Sequence, residues 1–134
     1  MRGQTAFEYI SLFSIVLMMT LVLTIFSGEM TIRNREDMRV SNAITTVERI
    51  AEAANIVSTQ GKPSQITLSV YVPEEIESIN ISGKVVLMKV KVAGGVSDIF
   101  ASSKSDLQGY ISNRSGTRNI RITAEDSYVN ITER

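Results

Sequence analysis

Residues 3–9, Gly3-Gln4-Thr5-Ala6-Phe7-Glu8-Tyr9, open directly onto an apolar run, and the rest of the chain is organised around that junction. From Tyr9 to Gly28 no side chain is charged. Ile10, Leu12, Phe13, Ile15, Val16, Leu17, Met18, Met19, Leu21, Val22, Leu23, Ile25 and Phe26 fill the segment, with Ser and Thr between them. As an α-helix the run reaches about 30 Å, enough to span the hydrocarbon core of a bilayer. Glu8 is the anomaly. A carboxylate at the head of such a segment is costly in hydrocarbon and marks a functional site by default.

The remainder of the 134 residues suffices for one small domain. Fourteen basic and fourteen acidic residues cancel. No basic face interleaved with aromatics appears, so no nucleic-acid partner is expected. There is no Cys and no His. Disulfides and thiolate metal sites are therefore excluded, and with His go the commonest general base and metal ligand. The carboxylates are scattered, and Asp98, Asp106, Glu125 and Asp126 lack the regular spacing of a calcium loop. Glu74, Glu75 and Glu77 beside Pro73 read as a solvated turn. No enzyme, cofactor or metal is expected.

Two readings of the apolar run use only its composition. A secretory signal peptide has a shorter apolar core and a small-x-small cleavage site, which Thr24-Ile25-Phe26-Ser27-Gly28 does not supply. A single-pass anchor, with the short basic end inside and the bulk outside, fits better.

A third reading rests on the residues ahead of the run. Arg2-Gly3-Gln4-Thr5-Ala6-Phe7-Glu8-Tyr9-Ile10-Ser11-Leu12 resembles the class III signal peptide of type IV pilin-like proteins, particularly archaeal pilins. Gln4, Ala6, Glu8 and Leu12 occupy the places where that family shows Gln, a small residue, Glu and Leu, with Ala6 standing where Ser is frequent. The Thr-Ala-x-Glu-Tyr core also resembles bacterial Flp-type pilins. The resemblance covers the first quarter of the chain or less. It implies cleavage between Gly3 and Gln4 by a prepilin peptidase, leaving the apolar helix on the mature protein. It also implies an assembly ATPase and a membrane platform protein as partners, and inter-subunit assembly roles for Gln4, Phe7, Glu8 and Tyr9. Leu12, Ile15, Val16, Met19, Leu23 and Phe26 would line a filament-core helix.

Glu8 also has a local explanation. Thr5-x-x-Glu8 is a capping-box pattern, and a carboxylate in a first turn meets the positive end of the helix dipole. Such effects are worth about 1 kcal/mol, whereas a charge at the centre of a bilayer costs at least about 2.5 kcal/mol. Cleavage after Gly3 would create a second explanation, a free ammonium on Gln4. In the family that Glu8 resembles, the acid pairs with the N-terminal amine of a neighbouring subunit.

Beyond Gly28 the composition changes abruptly: Glu29, Arg33, Arg35, Glu36, Asp37 and Arg39 are balanced three against three. The helix is expected to continue, because Val40, Ala43, Ile44, Val47, Ile50, Ala51, Ala54 and Val57 recur at 3–4 spacing and no Pro intervenes before Pro63. Gly61-Lys62-Pro63 is the stop, and Gly28 is the expected point of bending or melting. From Gln65 the period becomes twofold. Strands are expected at Gln65–Val72, around Ile79–Ile81, at Val85–Val92 and Val96–Phe100, at Thr117–Ala124 and at Tyr128–Glu133. Gly83-Lys84 and Gly94-Gly95 read as turns, and Ser102–Gly109 as a polar loop. Asn80, Asn113 and Asn130 head Asn-x-Ser/Thr sequons and are candidate N-glycosylation sites.

The expected architecture is α+β: a leader at 1–3, an apolar assembly or transmembrane helix at 4–28, an amphipathic continuation at 29–60, and a β-rich domain at 61–134. In that lollipop arrangement of the pilin family, the helix packs on an antiparallel sandwich-like or partly wrapped sheet. The expected function is a structural pilin of an extracellular type IV pilus-like filament. It would be held in the membrane as a precursor, polymerised through copies of its own helix and suited to adhesion. A single-pass membrane protein with a ligand-binding or sensory β domain, and a minor pilin-like or binding-complex component, stand as alternatives.

Overall fold

The computed structural model describes residues 2–134, with side chains from Gln4 onward. The fold is α+β, one long helix followed by five strands. Helix α1 runs Arg2–Gln60 and continues through Gly28, where the helix does not melt. The chain divides into two compact units, Met1–Asp37 and Met38–Arg134. The described residues of the first are helix alone.

In the second unit, Ala43, Val47, Ile50, Ala51, Ala53, Ala54 and Val57 are buried. Most of them pack in one cluster with the inward residues of the sheet. Val40 lines the rim, while Ile44, expected in the stripe, is 40% exposed. The helix ends at Gly61, whose φ of 71° suits a glycine C-cap and whose N–H donates to the Val57 carbonyl at 3.0 Å.

The strands are β1 (Gln65–Val72), β2 (Ile76–Val92), β3 (Gly95–Tyr110), β4 (Gly116–Ala124) and β5 (Tyr128–Glu133). They form one sheet in the order β1-β4-β5-β3-β2. As expected, the helix from Val40 onward packs on one face of the sheet; the correction is that this is a single mixed sheet rather than an antiparallel, sandwich-like one. The β4–β5 hairpin enters between β1 and β3, so β3 and β5 run parallel while the remaining pairs are antiparallel.

Twofold alternation places Val70 and Val72, Val86, Met88 and Val90, Ile120 and Ile122, and Val129 and Ile131 on the face that meets the helix. Two expected interruptions are absent. Gly83 carries a φ of 58° within a register shift of β2, so the strand bends there without turning back. The expected loop Ser102–Gly109 belongs to β3. Two of its inward positions, Ser103 and Ser105, are hydroxylated and face polar helix residues, while Leu107 joins the core. Ser103 Oγ donates to Asn55 Oδ1 at 2.9 Å, the Lys104 N–H donates to the same atom at 2.7 Å, and Ser105 and Ser58 pair through their hydroxyls.

Candidate functional site: the uncovered apolar helix

Among its described residues the first unit buries nothing. Every large apolar side chain from Phe7 to Phe26 is 53–73% exposed. Gln4, Phe7, Glu8, Tyr9, Leu12, Ile15, Val16, Met19, Leu23 and Phe26 all lie on this exposed surface. Gly3, on the other side of the expected cleavage junction, lies outside the residues whose side chains are described. The segment is long and apolar enough to cross a membrane, and none of it is buried. Burying such surface is favourable at roughly 25 cal/mol per Å² of apolar area. The helix is therefore built for lipid or for protein packed against it.

Its polar groups are prepared for an apolar environment. Ser11, Ser14, Thr20 and Thr24 each donate a side-chain hydroxyl to the carbonyl four residues earlier, at 2.8 Å. Thr31 does the same to Ser27 at 2.9 Å. A hydroxyl satisfied within its own helix carries little desolvation cost into hydrocarbon or a helix-packed core.

Glu8 stands apart. The helix begins at Arg2 with no acid in its first turn, so Thr5 lies inside the helix rather than at its cap. The capping-box explanation does not describe this chain, and the dipole term fades beyond the first turn. Glu8 is exposed, and among the described residues it has no hydrogen-bond or ion-pair partner. It lies one helical turn, about 6 Å along the axis, from Gln4.

The composition of residues 29–39 predicts solvent contact, and the apolar stripe is read from Val40 onward. Own-domain cover begins only near Arg39 and Val40. Met30, Ile32 and Met38 are exposed, as are Glu29, Arg33, Arg35 and Asp37. A usable signal was present: Met30, Ile32 and Met38 do not follow the 3–4 spacing that starts at Val40.

Within the second unit, Arg39 Nη1 donates to Glu75 Oε2 at 2.8 Å and to the Lys91 carbonyl at 3.3 Å. Lys62 Nζ lies 2.9 Å from Glu125 and 3.1 Å from Asp126, and these hydrogen bonds, Glu125's first, raise its pKa above the ordinary 10.5. Asn80 is exposed on β2. Asn113 is exposed between β3 and β4, its Nδ2 donating to the Glu77 carbonyl at 3.3 Å. Asn130 is half-buried on β5, paired across the sheet with Thr123 and Gln108. Among the described residues no group of three or more acids converges as a metal site requires.

No protein-family model, curated protein or solved structure matches this chain.

Proposed function

We propose that this protein is a structural subunit of an extracellular filament of the type IV pilus class. The observation that carries this reading is the uncovered helix with Glu8 at its head, unpaired among the described residues. A plain anchor accounts for the apolar surface but gives the carboxylate no partner. The resemblance at Gly3-Gln4 supplies one: cleavage frees the amine of Gln4, and the Gln4 of a neighbouring copy meets Glu8 as the subunit docks. The precursor waits in the membrane. The cut subunit then leaves lipid and stacks so that Phe7, Tyr9, Leu12, Ile15, Val16, Met19, Leu23 and Phe26 pack on other copies. A heterologous contact of this kind does not close and propagates as a helical polymer.

Assembly in this class calls for a prepilin peptidase, an ATPase and a membrane platform protein. The β domain provides the filament's outer surface, suited to adhesion, with exposed Asn80 and Asn113 and the half-buried Asn130 as sequons for glycan attachment.

Substituting Glu8→Ala tests the reading. Filaments seen by electron microscopy should be lost or greatly reduced, while a folded precursor stays in the membrane. Undiminished filaments from that variant would leave Glu8 without an assembly role. A subunit that never leaves the membrane fraction would favour the single-pass receptor instead.

A further inference from the structure

Glu29, Arg33 and Asp37 follow one another at i, i+4 and i+8, and so share one helix face within the first unit. All three are exposed, and Arg35 lies exposed to one side. Among the described residues none of the four has a hydrogen-bond or ion-pair partner. The four charges sum to zero. An anionic lipid surface attracts clusters of Lys and Arg, so it gains nothing from this balanced set. A surface of alternating sign suits a second copy of itself.

We propose that Glu29, Arg33 and Asp37 form a ladder between parallel copies of α1 and fix their axial offset at about one helical turn. This inference rests on the filament reading. With no offset, parallel neighbours set Glu29 on Glu29, Arg33 on Arg33 and Asp37 on Asp37, three like-charge contacts. An offset of four residues, about 6 Å, sets Arg33 of one copy on Glu29 of the next and Asp37 on Arg33. Both contacts are then attractive. An offset of eight residues, about 12 Å, returns Asp37 to Glu29 and repulsion. The charge order thus selects one stagger from the set that apolar packing alone would tolerate. Arg39 stays out of the ladder because Glu75 holds it.

The test uses the full chain in assembly-competent cells, comparing wild type, Arg33→Glu and the reversed set Glu29→Arg, Arg33→Glu, Asp37→Arg. Filament number, N-terminal processing and membrane retention are read for each, with helical symmetry from electron cryomicroscopy. Arg33→Glu should give about tenfold fewer filaments, as loss of two weak ion pairs implies, with processing and membrane retention unchanged. The reversed set should restore assembly, and some pair of neighbouring subunits should be offset by about 6 Å. Normal filaments from Arg33→Glu, or a reversed set as defective as the single variant, would overturn the ladder while leaving the filament reading intact. Membrane loss in Arg33→Glu would also overturn it, assigning the segment to lipid headgroups. Absence of filaments from the wild-type chain would sink the filament reading and the ladder with it.

Discussion

Arg39 of α1 reaches Glu75 in the β1–β2 turn, with 2.8 Å between Nη1 and Oε2, and the same nitrogen donates to the Lys91 carbonyl at 3.3 Å. Glu75 holds a φ of 61°, and its own carbonyl accepts the Lys91 N–H at 3.0 Å. One guanidinium therefore ties the start of the covered helix to a turn and to the end of β2. Glu75 is 57% exposed, which keeps the energy small. Arg39→Ala should cost about 1 kcal/mol, read as a lower melting temperature of the detergent-solubilised chain. The double variant with Glu75→Ala should cost scarcely more than Arg39→Ala, because both remove the same contact.

Gly109 sits against the backbone of β5. A Cβ built there would lie 1.9 Å from the Ile131 carbonyl oxygen, and the residue's φ is 146°. Gly109→Ala must therefore part β3 from β5, the parallel pair that joins the two halves of the sheet. Misfolding or rapid proteolysis is expected. Gly95 makes the comparison: its φ of 137° is also strained for an L residue, but a Cβ there meets nothing within 4 Å. Gly95→Ala should cost only about 1–3 kcal/mol, and equal damage from both variants would count against the close approach.

Asn55 satisfies two groups of β3 at once, the Ser103 hydroxyl and the Lys104 N–H. Ser103 is 7% exposed. Asn55→Leu removes the acceptor and leaves the hydroxyl buried, at an expected cost of about 1–3 kcal/mol. In a unit of this size that corresponds to a fall in melting temperature on the order of 5–20 °C.

Lys62 provides a pH dependence. Its folded pKa is raised by Glu125 and Asp126, so the folded state holds the proton more tightly than the unfolded chain. The resulting stabilisation is complete below the ordinary value of 10.5 and fades as pH rises through the higher folded value. Solvent exposure keeps it modest. Melting temperatures of wild type and Lys62→Met should differ at neutral pH and converge in strong alkali.

The helix and most strands were legible because their periods are unmixed. Val40, Ala43, Val47, Ile50, Ala54 and Val57 repeat at helical spacing, and Val86, Met88 and Val90 at strand spacing. Ser102–Gly109 was illegible as a strand because two of its three inward residues, Ser103 and Ser105, meet Asn55 and Ser58, and Leu107 alone is apolar. Gly83 carries the positive φ of a turn, yet here it only shifts the register of β2. Strand order is not encoded by alternation, so the parallel β3–β5 pair was hidden. The uncovered helix was fully legible, since twenty residues without a charge followed Glu8. What residues 29–39 face was not, because charged residues mark contact with solvent and with a charged partner alike.

Mass spectrometry of the subunit's N-terminus, taken from filaments sheared off intact cells, decides whether the chain is cut after Gly3 and polymerised. A chain that begins at Gln4, recovered from surface filaments, is expected. A chain that retains Met1-Arg2-Gly3 and is found only in the membrane fraction would contradict the filament reading.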